Sequence, residues 1–309
     1  MVSTLFDKFD HLSNEPYKIV RFEKYQAILF KARLYTLMTK FPISPFFALK
    51  SLWLHRRLII DMAKRDALGK YKGSFLGVFW SLLTPVFMLA IYTFVFSEIF
   101  KARWTAASTS KTEFAIVLFA GMIMFNLFAE IVNRAPGLIL SNPNFVKKIV
   151  FPLEILSCVN LCSALFHLLV SVIVLLIFQF IVFGQIPWTV LILPAVIFPL
   201  ALICLGLSWF LSAIGVFLRD VGQTIGIFVT GLMFLSPVFF PLSAIPADWQ
   251  TLANLNPMVF PIEMARQILV WGNQPDWFNW FLYLCLSICI AWAGFACFQK
   301  IRRGFADVI

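Results

Sequence analysis

The sequence predicts an all-α membrane protein: six transmembrane helices, an N-terminal interfacial amphipathic helix, and short re-entrant helices between the fifth and sixth spans. Three observations predict it. First, 61% of the 309 residues are hydrophobic and only 13% charged, with a mean hydropathy of +0.88. A soluble domain carries about 25% charged residues, and a chain of this size could not hide so much apolar surface in one core. Second, several windows reach the roughly 20 apolar residues that a spanning helix needs. Third, the net charge of +10 is unevenly placed, with 14 of the 25 Lys and Arg residues before position 76. That asymmetry matches the positive-inside pattern of membrane proteins and excludes a nucleic-acid patch.

Residues 1–48 are mixed and polar, broken by Pro16, Pro42 and Pro45, and read as a cytoplasmic extension. Residues 49–75 hold an interfacial helix and its lead-in. On a helical wheel, Leu49, Leu52, Trp53, Ile59, Ile60, Ala63 and Ala67 share one side, and Arg57, Asp61, Lys64 and Arg65 lie opposite. Arg56 interrupts the apolar side. A basic amphipathic helix beside a span belongs in the cytoplasmic interface.

The membrane domain covers 76–299. Its first span, 76–100, contains Pro85, which a membrane helix tolerates when neighbours bond the freed carbonyl. The second span is 114–132. A breaker-rich segment, 133–152, separates it from a long third span, 153–183. The tight turn Gly184-Gln185-Ile186-Pro187 leads to the fourth span, 190–218, and Arg219-Asp220 to the fifth, 221–240. Five prolines divide 241–276 into pieces too short to cross, so short interfacial or re-entrant helices are expected there. The sixth span is 277–298, and 300–309 form a basic tail. Counted by side, 21 Lys and Arg residues fall on the side of the termini and four on the other, which puts both termini in the cytoplasm.

The chemistry that is missing narrows the function. Gly69-Lys70-Tyr71-Lys72-Gly73-Ser74 lacks the order of a phosphate-binding loop, so this chain does not bind ATP in that way. No metalloprotease or serine-hydrolase string appears. The six cysteines lie in apolar stretches without metal-ligand spacing and read as buried apolar residues. Glu98, Glu130, Glu154 and Asp220 fall near span ends, and His167 lies within a span, where it either acts or bonds a neighbouring helix. So few mid-span carboxylates argue against a proton or sodium symporter. A pore or permease subunit powered from elsewhere remains. In 133–152, Ser141 or Asn142 can cap a short helix starting at Pro143. That helix, with Phe145, Lys147 and Lys148, is either a docking knob for a partner or an ordinary helix connection.

The order of several strings resembles the type-2 ABC transporter permeases (the transmembrane subunits) of the polysaccharide, O-antigen and teichoic-acid export family. The strings are Lys70-Tyr71-Lys72-Gly73-Ser74-Phe75-Leu76-Gly77-Val78-Phe79-Trp80, then Pro85 and Tyr92-Thr93-Phe94-Val95-Phe96; 142–152, ending Lys147-Lys148-Ile149-Val150-Phe151-Pro152; and Arg219-Asp220, Gln223, Ser236-Pro237-Val238, Pro246, Asn256-Pro257 and Arg266. Lys70 stands where the family often has Arg, and residues 1–50 exceed its usual N-terminal region.

The resemblance implies a homodimer working with two copies of a separate ABC ATPase subunit, which would carry the ATP and Mg; no cofactor is implied in this chain, which is a permease subunit and not itself an enzyme. The coupling segment would be 133–152, with Asn142, Pro143, Phe145, Lys147 and Lys148 seated on the ATPase, and 241–276 would form the outer gate. The location would be the cell inner membrane, and the cargo a lipid-linked glycan, most of all O-antigen. The 36 Phe, 10 Trp and 6 Tyr suit a sliding polymer, because aromatic faces stack on sugars. Trp80, Tyr92, Phe125 and Trp209 are the channel-lining candidates, against helix packing or lipid contact as the alternative. Arg56, Arg57, Lys64, Lys70 and Lys72 are candidates for a lipid carrier's pyrophosphate or for anchoring to anionic lipid. The rival functions are a drug or lipid exporter of the same superfamily and a membrane-embedded glycan-processing enzyme.

Overall fold

The computed structural model describes residues 43–99, 104, 111–147 and 151–309. The extension up to residue 42 and Lys148 therefore lie outside the described residues, as do the side chains of Glu98 and Lys147. Among the described residues there are helices and turns and no strand.

Two helices precede the membrane domain: α1, Pro45–Leu54, and α2, Arg56–Gly69. The single helix expected from residue 49 is thus broken at His55, whose backbone leaves the helical region (φ −97°, ψ 13°) and whose Nδ1 pairs with the Ser51 carbonyl at 2.8 Å. The break turns the two apolar faces apart. On α2, Ile59, Ala63 and Ala67 are buried, spaced at successive helical turns, and face the bundle. On α1, Leu49, Trp53 and Leu54 are exposed, so the continuous stripe drawn on the wheel is not one surface.

Gly73 (φ 91°) and Gly77 (φ 53°) make the turn out of α2, at backbone angles an L side chain resists. Helix α3, Trp80–Tyr92, follows; it holds Pro85 internally and runs on as a π-helix over Thr93–Ile99. Then come α4, Lys111–Arg134; the five-residue α5, Pro143–Lys147; α6, Ile155–Phe183, closed by left-handed Gly184; and α7, Leu193–Phe217. Helix α8 is Val221–Leu235, α9 Ala247–Asn254, α10 Val259–Arg266, α11 Trp277–Ile301 and α12 Phe305–Val308.

Five helical stretches are long and apolar enough to cross a membrane: Gly77–Phe96, Thr112–Gly137, Ile155–Phe183, Trp188–Phe217 and Trp277–Gly304. Val221–Leu235, where a fifth span was expected to reach 240, is a shorter apolar helix. The segment 241–276 does divide into short helices, with Asp276 capping α11 by accepting from the Phe278 and Asn279 amides.

The bundle is built around α4, buried on nearly all sides, whereas the first span is scarcely buried at all. Helices α7 and α11 form the tightest pair. Gly206 and Gly294 meet backbone to backbone, and a Cβ on Gly294 would overlap the Gly206 carbonyl. Small residues at such a crossing are how membrane helices gain packing where lipid supplies no hydrophobic drive between them. Gly215 presses likewise against the Pro136 carbonyl.

Candidate functional site

A cleft of about 740 Å³ opens at the basic end of the bundle, between α2, the end of α4, the residues leading to α5, and the start of α6. Its position follows from how α2 docks. Buried Ile59 and Ala63 pack with Leu153, Ile155 and Val159 at the foot of α6, which leaves the polar flank of α2 facing the end of α4. There Arg134 donates two bonds to Asp66, Nη1 to Oδ2 at 2.9 Å and Nη2 to Oδ1 at 2.8 Å. Burial pushes the Asp66 carboxyl up, but the hydrogen bonds from Arg134, the Ser163 hydroxyl and the charges of Arg134 and Lys70 together outweigh it and hold the group below the usual carboxylate range. One turn on, Lys70 Nζ donates to Glu130, and the same carboxylate receives His167 Nδ1 at 2.9 Å. The Tyr71 ring meets His167 edge-on at 6.2 Å, and burial together with the Glu130 charge raises its phenol above the usual value.

His167 therefore takes the second of its two readings: it bonds a neighbouring helix. Asn160 lines the cleft too; its Nδ2 donates to the Ile131 carbonyl at 3.1 Å, and its buried Oδ1 has no partner among the described residues.

The cleft brings two expected groups together, Lys70 from the basic set and Asn142 from the proposed docking segment. Asn142 turns inward, its Nδ2 donating to the Leu138 carbonyl at 2.9 Å. Arg56, Arg57, Lys64 and Lys72 are exposed but do not line it. Arg56 lies over the Trp53 ring at 4.9 Å. Arg65, Asp66, Arg134 and Asn160, none of them a candidate from sequence, do line it. The available signal was the spacing of Asp66 and Lys70, one helical turn apart on α2 and able to meet Arg134 and Glu130 one turn apart on α4.

Three expectations need correction. Phe145 is not the tip of an exposed knob. It is half-buried, its ring stacked on Phe151 at 4.2 Å and nearly parallel, with α12 packed against α5. Phe125 and Trp209, expected at a channel wall, are 2% and 3% exposed and pack inside the bundle. Trp209 lies edge-on to Phe295 and donates Nε1–H to the Glu154 carbonyl at 2.9 Å. Of the aromatic candidates, Trp80 is exposed and Tyr92 half-buried against the core. Among the cysteines, Cys285 and Cys289 are exposed on α11 and not buried as expected.

At the far end, Arg266 is 0% exposed. It donates Nε to the Val117 carbonyl at 3.1 Å, Nη2 to the Val238 carbonyl at 2.8 Å and Nη1 to Glu263 at 2.7 Å, and it stands over Trp104 at 4.2 Å. Beside it a second cavity, about 630 Å³, is lined by Glu263, Gln267, Gln274, Asp276, Asn279 and Tyr283. No group of three or more His, Cys, Asp or Glu suited to a metal ion occurs among the described residues.

The arrangement is a pair of cavities at opposite ends of an apolar bundle, each lined by apolar residues with a few charged and amide groups among them. Residues 57–270, more than half of the chain, match the family described as ABC-2 type transporter. The chain belongs to the ABC-2 type transporter family. This ABC-2 transporter is 26% identical over 263 residues to the O-antigen export system permease protein RfbA of Myxococcus xanthus, covering 84% of this chain and 98% of that one. It is 23% identical over 257 residues to an RfbA of Klebsiella pneumoniae, covering 82% and 95%. The polysialic acid transport protein KpsM of Escherichia coli is 27% identical over 218 residues, covering 67% of this chain and 78% of KpsM.

Proposed function

We propose that this ABC-2 transporter is the permease subunit of an ATP-driven exporter that moves lipid-linked polysaccharide, of the O-antigen kind, from the cytoplasm across the inner membrane. The observation that carries the reading is the alignment with the Myxococcus O-antigen permease over nearly all of that protein's length. In this reading two copies pair with two ATP-binding subunits, which supply the ATP chemistry for which this sequence has no phosphate-binding loop. The basic end, with both termini, is cytoplasmic.

The cavities suit such a cargo. The cleft at the basic end presents Arg65 and Lys70 for a phosphate. The far cavity offers amide, carboxylate and phenol groups, the partners that sugar hydroxyls use. Arg266 supports a six-span count. By binding carbonyls of both Val117 and Val238, it sets the end of the α8 strand of chain level with the far part of α4. Residues 236–240 then complete a crossing that the 15-residue helix, about 22 Å long, begins. Of the end-of-span carboxylates a glycan-processing enzyme would draw on, Glu130 and Glu154 are committed to ion pairs, and the Glu98 side chain lies outside the described residues.

The test is co-purification in detergent with the candidate ATPase subunit, with ATP turnover measured for the wild type, Phe145→Ala and Lys147→Glu. A stable complex whose turnover changes in the variants supports the reading. A chain that purifies without any ATPase removes the energy source and the reading with it.

A further inference from the structure

Glu154 follows directly on the segment expected to couple to the ATPase, and it is 3% exposed. Its side chain receives Ser51 Oγ from α1 at 2.8 Å and Arg302 Nη1 from the end of α11 at 2.7 Å. Arg302 spans further: its Nη2 donates to the Phe151 carbonyl at 2.9 Å, inside that segment. The Glu154 carbonyl accepts Trp209 of α7. Phe151 carries the stacked Phe145, and Phe305, just past Arg302, packs on Phe298 and Phe217. Glu154 thus joins α1 and the end of α11 through its carboxylate and α7 through its backbone carbonyl, and Arg302 ties them to the exit of 133–152.

What it is joined to is stiff. Helices α7 and α11 meet at Gly206 and Gly294 with no space for a side chain, so neither slides on the other without breaking the backbone contact. Helix α11 is about 37 Å long. At its far end Tyr283 donates to the Pro257 carbonyl at 2.9 Å, and Trp280 donates to the Ala195 carbonyl of α7 at 2.9 Å. The pair is a rod anchored at one end to the segment 133–152 and at the other to the segment 241–276.

We propose that Glu154, held by Arg302, is the positioning residue that makes the ATPase-facing segment and the α7–α11 rod move together, so that displacement at the basic end reaches the far segment through Tyr283 and Pro257. Aligned elements with two buried anchors transmit motion as a body, whereas a loop resting on exposed contacts would absorb it. This rests on the permease reading above. Glu154 is buried and lines neither cavity. Its replacement separates hydrolysis from motion without abolishing either partner's binding.

The experiment uses the full chain in complex with its ATPase subunit, with the six native cysteines replaced and a spin label at Leu255→Cys, an exposed position in the far segment. The change in label mobility on adding ATP and vanadate is compared for the parent chain, Glu154→Gln and Arg302→Gln. ATP turnover should stay within about twofold while the ATP-dependent change at the label falls about tenfold. The double variant should match the singles, because the two groups act as one unit. A variant with normal turnover and an undiminished response overturns the proposal, and so does a parent complex whose label never responds to ATP. If Glu154→Gln yields no complex, Arg302→Lys, which keeps the charge but cannot hold Glu154 and the Phe151 carbonyl together, is read by the same rule. Failure of the parent chain to bind any ATPase is a different result, and it counts against the permease reading.

Discussion

Arg266 is the one basic residue between positions 241 and 276, and its Nε, Nη1 and Nη2 each donate a bond, to α4, to Glu263 and to the chain after α8. A buried guanidinium is tolerable only when so completely bonded. Gly121 makes the room: a Cβ there would strike Nη2 of Arg266. Arg266→Met should therefore destabilise the protein by about 2 kcal/mol, since the Val238 carbonyl loses its partner. Thermal unfolding in detergent checks it, and an unchanged midpoint would show the contacts to be incidental. At this scale the sequence was a mixed guide. Lys70 and Asn142 reached the cleft, but Phe125 and Trp209 pack inside the bundle. In a helix apolar all round, nothing in the sequence says which aromatic faces a neighbour; neighbouring helices decide that.

At the scale of elements, the docking of α2 depends on a row of small residues and two ion pairs. The row Ile59, Ala63 and Ala67 was legible from its spacing, but the break at His55 was not, because no proline or glycine marks it. The Asp66–Arg134 pair makes the docking depend on pH. With the folded carboxyl below its ordinary value, near 3.9 in an unfolded chain, the stabilisation is complete above that value. It is lost as pH falls through the lowered folded one. Wild-type protein should thus lose thermal stability below about pH 4 more steeply than Asp66→Asn. Unfolding midpoints from pH 3 to 7 measure this, and parallel profiles for the two proteins would sink the idea.

For the whole molecule, the open quantity is the number of crossings. Charge placement alone requires an even count, and hydropathy alone finds five long helices with a short sixth. The bonds of Arg266 to the Val117 and Val238 carbonyls support the even count proposed above. Cysteines introduced at Arg219 and Ser243, in a chain lacking its own, should react with a membrane-impermeant maleimide from opposite sides of sealed vesicles. Labelling of both from one side would make α8 a re-entrant hairpin and the count five.

What the sequence determined by itself is the solvent, the helical class and the polarity of the ends. These follow from composition, window length and charge placement, each additive along the chain and needing no partner. Family resemblance was likewise readable, from strings whose order survives without coordinates. The tertiary structure alone decided which groups meet: Asp66 with Arg134, Glu130 with Lys70 and His167, and Glu154 with Ser51 and Arg302. The partners in these pairs lie 37 to 148 positions apart in the chain. Their meeting depends on helix rotation and crossing depth, which are set by contacts such as Gly206 on Gly294 and not by any local pattern.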